Sequence, residues 1–165
     1  MTTVLAIDPG TTESAYSLCN ERYHPLTFGK VGNDVLLRDF GDLAGRADYA
    51  VIEMVASYGM AVGREVFETC VWIGRFTQAL RDRHSLIPER VTRKTVSRHH
   101  CHSNKATDAT VRQALVDRFA HGYGNYGKGT KTAPSPFYGF KADIWAAHAI
   151  AVWAIDTYTG QEAPF

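Results

Sequence analysis

Thr3-Val4-Leu5-Ala6-Ile7-Asp8-Pro9-Gly10 decides how this chain is read. A short apolar run stops on a carboxylate and then on a Pro-Gly pair, which predicts a buried strand followed by a tight turn. An aspartate there is held at the edge of the core, and the glycine lets another backbone come close. Taken alone, Asp8 reads equally as a turn-capping residue. Tyr49-Ala50-Val51-Ile52-Glu53 repeats the arrangement. A Glu inside Val-Ile-Glu-Met-Val is costly to bury unless it is paired or bound to metal. Two such carboxylates at strand ends favour a hard cation with oxygen ligands.

Outward from these strands, 14–19 and 26–31 have strand-like composition and a plausible hairpin between them at 20–25. Asn33 is expected to cap a helix carrying Leu36, Leu37, Phe40 and Leu43. A flexible connection at 59–63 leads into a long helix at 64–83, and 89–91 forms a short last strand. Thr107 or Asp108 caps a helix with Val111, Leu115, Val116 and Phe119, and a Trp- and Ala-rich helix covers 142–158. The segment 121–140 is rich in Gly, Tyr, Lys and Pro and is unusually long for a connection, so a mobile basic loop is expected there. With no repeat and no linker, 1–165 reads as a single domain.

The 165 residues are 45% hydrophobic and 21% charged, which suits one soluble core. No apolar run approaches the roughly 20 residues of a membrane helix. The first residues lack a basic flank and a cleavage site, and read as strand rather than signal peptide. Cys19, Cys70 and Cys101 are an odd, widely spaced set, pointing to a reducing cytoplasm rather than a disulfide framework.

The net charge of +1 conceals an asymmetry. Residues 1–80 hold six basic against ten acidic side chains, whereas 81–131 hold eleven basic against four acidic. Local positive potential, not overall charge, is what a nucleic-acid binder needs. The same stretch also reads as a solvated basic surface.

Ala6-Ile7-Asp8-Pro9-Gly10 resembles the first motif of RuvC-type Holliday junction resolvases. Ala50-Val51-Ile52-Glu53, then a loop and Gly63-Arg64 opening an apolar helix, resembles the second. Ala142-Asp143 with Ala146-Ala147-His148-Ala149-Ile150-Ala151 is similar, more loosely, to the C-terminal acidic helix. The phage-encoded subgroup is the nearest pattern, and the likeness runs along nearly the whole chain. It implies an α/β, ribonuclease H-like fold: a mixed five-stranded sheet, three strands antiparallel and two parallel, flanked by helices. The first and fourth strands then lie side by side, with Asp8 and Glu53 at one end.

The resemblance further implies a structure-selective endodeoxyribonuclease that resolves four-way or other branched DNA. It would use Mg²⁺ (Mn²⁺ as a substitute), two ions per site, held by Asp8, Glu53 and Asp143. The fourth ligand is open. Family members carry a partner three residues from the helix aspartate, but Phe140 and Ala146 stand there. His148 lies five residues on, about 140° around a helix, and reads also as a core histidine. Asp108 is the other candidate, and reads also as a first-turn Asp favoured by the helix dipole.

Arg93, Lys94, Arg98, Lys105, Arg112, Lys128 and Lys131 are the expected DNA contacts. Tyr58 stands where relatives place an aromatic that wedges against an unpaired base, and reads also as loop packing. His99-His100-Cys101-His102 lacks the second ligand pair of a zinc site, and is expected to line the approach to a phosphate backbone. In the long helix, Cys70-Val71-Trp72-Ile73 cannot all face one core. The resemblance implies a homodimer there through Phe67, Val71, Trp72 and Phe76.

Three rivals stay open. Ile7-Asp8-Pro9-Gly10-Thr11-Thr12 also resembles the first phosphate loop of actin-like ATPases, although those need two such domains. A non-catalytic DNA-binding or structural module is another, and a nuclease of the same fold acting on ribosomal RNA is the third.

Overall fold

The computed structural model describes residues 1–160; the expected domain runs to Phe165, and 161–165 lie outside the described residues. β1 (Thr3–Asp8), β2 (Glu13–Asn20) and β3 (Pro25–Gly32) are followed by α1 (Asn33–Gly45) and β4 (Tyr49–Met54). Then come α2 (Arg64–His84), β5 (Glu89–Thr92), α3 (Arg93–Cys101), α4 (Asp108–Phe119) and α5 (Ile144–Thr159). The strands form one five-stranded sheet in the order β3-β2-β1-β4-β5. β1, β2 and β3 pair antiparallel, while β4 joins β1, and β5 joins β4, in parallel. This is the ribonuclease H-like α/β arrangement expected from the sequence.

Alternation along β1 distributes its side chains between two cores. Leu5 and Ile7 join Ala50 and Ile52 under α1 and α2, meeting Leu36, Phe40, Ile73, Phe76 and Leu80. Val4, Ala6 and Val51 face the other way, toward Val96, Val111, Leu115, Ile150 and their neighbours on α3, α4 and α5. A strand covered on both faces must be apolar throughout, which is why β1 reads as an unbroken hydrophobic run. The same period of two sends Asp8 and Glu53 to the α3–α4–α5 side.

α5 is the central helix of that side. From Ile144 to Asp156 every residue but Ala146 is buried, and a helix apolar all round is one enclosed by its own protein. α3 is absent from the sequence-based expectation. Only Val96 of its nine residues is buried, so it carries no apolar period to detect.

Three other expectations are corrected. Asn33 does not cap α1, since the preceding residue is Gly32 and no side chain caps the helix. Its amide is buried instead, donating to the Gly10 carbonyl at 3.0 Å while Oδ1 accepts from Ser14 at 2.6 Å. Phe76 lies in the core against Phe40 rather than on a dimer face, because it shares the inner stripe of α2 with Ile73 and Leu80. His99 and His100 turn inward onto α5, His99 to Asp156 and His100 to the Ala149 carbonyl, so they do not line a surface approach.

The 121–140 segment has neither helix nor strand beyond an isolated bridge between Gly129 and Pro134. Phe137 and Phe140, at its end, are buried.

Candidate active site at the ends of the parallel strands

The register Ile7↔Ile52 between β1 and β4 sets Asp8 beside Glu53 at the carboxyl ends of neighbouring parallel strands. β5 ends at the same edge, where Glu53 lies opposite Val91 and Met54 opposite Thr92. The edge where parallel strands finish is where open α/β sheets bind their ligands. Three helices begin beside it, and their first residues or caps are Arg93, Asp108 and Asp143.

The turn after Asp8 is tightly built. A Cβ on Gly10 would stand 2.3 Å from the Glu13 carbonyl oxygen, so only glycine fits. The Gly10 amide donates to Ser14 Oγ at 3.1 Å, which the buried Asn33 amide in turn holds. Asn33 is thus a support of the site, and nothing at the sequence level distinguishes it from a helix cap.

Arg93 is the centre of the cluster. Its guanidinium lies 3.6 Å from Asp8, 3.2 Å from Glu53 and 3.4 Å from Asp108. A cation in the first turn of a helix opposes the helix dipole, so these carboxylates hold Arg93 where its own helix would not. Asp143 pairs instead with Lys30 of β3 at 2.6 Å. Exposure rises outward: Asp8 is 7% and Glu53 12% exposed, against 51% for Asp143 and 78% for Asp108.

Charge is not balanced in the buried part. Burial is the main cause that lifts the Asp8 carboxyl far above the usual carboxylate range. Glu53 adds to the rise, Arg93 opposes it, and Asp143 and Asp108 push further up. Glu53 is raised by burial too, with Arg93 opposing. Three carboxylates around one half-exposed guanidinium, with a fourth held by Lys30, leave a deficit of positive charge. Oxygen donors of this kind suit a hard divalent cation. With Arg93 among them, no three acidic, His or Cys side chains among the described residues stand close enough together to form a ready metal cage.

Asp8, Glu53 and Asp108 are thus joined through Arg93, and Asp143 lines one cleft with Asp108. His148 is not among them. It is fully buried on α5, its Nδ1 3.1 Å from Ser17 Oγ, its ring edge-on to Phe140 and Phe137. Its Nε2 has no partner, and burial lowers the ring to about 3, so it is a neutral core imidazole.

The expected DNA contacts are dispersed. Lys94 lies over the Tyr58 ring at 5.2 Å, and Arg112 over the Tyr126 ring at 4.6 Å. Arg98 donates to Asn104 at 2.8 Å. Lys105 and Lys131 are exposed and Lys128 is half-buried. Sequence reading missed Lys30, whose strand is distant in the chain from Asp143, and missed Arg93 as the partner of three carboxylates.

No protein-family model matches the chain. No curated protein matches it either. Among solved structures, Thermus thermophilus RuvC is similar over 99% of this chain and 100% of its own, at a TM-score of 0.67 and 15% identity. T. thermophilus RuvC in complex with Holliday junction substrate is similar over the full length of both chains, at a TM-score of 0.68 and 12% identity. At such identities the likeness establishes a RuvC-like fold.

Proposed function

We propose that this chain is a metal-dependent endodeoxyribonuclease that resolves four-way or other branched DNA, of the kind phages encode and working in a host cytoplasm. The observation that carries the reading is the buried pair Asp8 and Glu53, short of positive charge, at the ends of adjacent parallel strands. The RuvC-like fold and the solved RuvC complex with a Holliday junction support the choice of substrate.

Asp8 and Glu53 are the inner oxygen ligands on rigid strands. Asp143 and Asp108 close the site from the starts of α5 and α4, and Asp108 takes the fourth position in preference to the core residue His148. These carboxylates would hold two Mg²⁺ ions, or Mn²⁺ in their place, whose chemistry there would be activation of a water and stabilisation of the leaving oxygen. Arg93, when it leaves the carboxylates, is within reach of a phosphate brought to them. Lys105, Arg98, Lys128 and Lys131 contribute salt-sensitive phosphate contacts that carry no base information.

A junction needs two symmetric cuts, which a twofold dimer supplies. The exposed Phe67 and Val71, one helical turn apart on α2, are the proposed contact, with Trp72 half-buried beneath Arg75. Phe67→Asp should convert dimer to monomer in sedimentation; a wild-type chain that is monomeric at micromolar concentration removes the dimer.

The deciding experiment is cleavage of a four-way junction with Mg²⁺, run beside linear duplex, structured RNA and ATP. Junction cleavage that Asp8→Asn abolishes supports the reading. ATP turnover, RNA cleavage or binding without any cleavage would each replace it with the corresponding rival.

A further inference from the structure

Of the four Tyr-Gly pairs in the chain, 58–59 and 126–127 sit in turns built alike, with both residues left-handed. In the first, the Met60 amide donates to the Ser57 carbonyl at 2.9 Å, and the central residues Tyr58 and Gly59 have φ of 50° and 83°. In the second, the Lys128 amide donates to the Asn125 carbonyl at 3.0 Å, and Tyr126 and Gly127 have φ of 55° and 74°. A left-handed tyrosine is strained, and such strain persists where the surroundings hold it and often where it serves function.

Neither ring gains burial in exchange: Tyr58 is 58% and Tyr126 52% exposed. Each instead lies against a cation, Lys94 in one case and Arg112 in the other. Lys94 follows Arg93 in α3, while Arg112 lines one cleft with Asp108 and Asp143. The second turn is also rigid. A Cβ on Gly127 would meet Ala120 at 2.5 Å, and the buried Phe137 donates its amide to the Gly127 carbonyl at 2.8 Å. Tyr126 is therefore an aromatic surface on a packed turn beside a guanidinium, with Lys128 and Lys131 nearby in the chain.

We propose that Tyr126 and Arg112 form a second base-stacking platform, which holds an unpaired nucleotide on the Asp108–Asp143 side of the cluster while Tyr58 and Lys94 serve the Glu53 side. The ligand class is single-stranded or unstacked nucleic acid, because stacking on an aromatic face tolerates every base. The lysines provide the charge complement to its phosphates. The proposal rests on the nucleic-acid part of the functional reading and adds a binding element to it.

The test uses the full chain in EDTA with three probes: a four-way junction carrying 2-aminopurine at the exchange point, the matching linear duplex, and oligo(dT). Tyr126→Ala should weaken junction and oligo(dT) binding about 5- to 150-fold, the range of one lost base stack, with duplex affinity and melting temperature unchanged. Tyr126→Phe should restore binding and the 2-aminopurine signal. Equal loss on duplex and junction, a lowered melting temperature in both variants, or no loss for Tyr126→Ala would each overturn the platform. The two readings fail separately. If wild type cleaves junctions while the Tyr126 variants bind as it does, the platform alone falls. If no cleavage occurs but Tyr126→Ala still loses oligo(dT), the platform stands and the nuclease reading falls.

Discussion

The two ends of α5 hold opposite solutions to a buried carboxylate. At its start, Asp8, Glu53 and Asp108 gather on Arg93, and Asp143 pairs with Lys30 across a cleft it shares with Asp108. Thirteen residues on, about 20 Å along the helix, Asp156 stands alone among donors. Arg118 reaches it through two bonds of 2.8 and 2.9 Å, His99 at 2.6 Å and Tyr23 at 2.7 Å. Burial by itself raises the Asp156 carboxyl, but the hydrogen bonds from Arg118, His99 and Tyr23 outweigh it and hold the group well below its usual range. The first end has more negative charge than its cations satisfy, and the second has donors to spare. One is therefore a place for an arriving cation, and the other a clasp joining α5 to α3, α4 and the β2–β3 connection.

The sharpest way to separate them is activity. Asp8→Asn and Glu53→Gln should each lower junction cleavage by about a thousand-fold or more, the several kcal/mol expected for a lost metal ligand. Folding should be intact, since each change removes an unbalanced charge. Near-normal turnover in either variant would mean that the two ends of α5 do not differ in kind.

Next in size is stability. Asp156→Ala strands Arg118, which is only 14% exposed. Breaking a buried pair of this type costs about 3–5 kcal/mol, to be read from urea unfolding. A loss below about 1 kcal/mol would reduce the clasp to an ordinary surface pair.

Acid and base should then move the two ends in opposite directions. The folded Asp8 carboxyl is pushed up to about 8, so between the unfolded value near 4 and that point the folded chain keeps a proton the unfolded chain has lost. Metal-free stability should therefore fall as pH rises across this window, by at most about 1.4 kcal/mol per unit for one proton. Asp8→Asn should flatten that slope. Asp156, lowered in the folded state, contributes stability that is present above about pH 4 and lost as pH falls below it. Unfolding in EDTA from about pH 3 to about pH 8 reads both limbs; a slope unchanged by Asp8→Asn counts against the charge deficit.

The smallest effect concerns Arg93, the cation already among the carboxylates. Arg93→Gln should lower metal-free stability and tighten Mn²⁺ binding by about 5- to 30-fold, as expected for 1–2 kcal/mol of removed competition. Calorimetric titration reads it, and equal affinity in both proteins would show that Arg93 and the metal do not share a place.

Much of this was present in the chain before it folded. The period-two and unbroken apolar patterns around Val4 and Val51 determine two buried strands ending on Asp8 and Glu53, because strands covered on both faces tolerate polar residues only at their ends. The stripe on α1 and the apolar length of α5 follow from helical periodicity in the same way. What no pattern carried is pairing between distant residues. α3 buries one valine and leaves no periodic trace, so the inward turn of His99 and His100 was invisible. Asn33 has the chemistry of a cap, and only the closeness of β1, β2 and α1 made it the lock on Gly10 and Ser14. Lys30 meets Asp143, and Arg93 meets Asp8, Glu53 and Asp108, because the sheet order brings their elements to one edge. Local pattern sets which residues are buried and where strands stop, since those depend on neighbours a few positions away. Which charges face each other depends on the order of strands, and that is settled only when the whole sheet has closed on its helices.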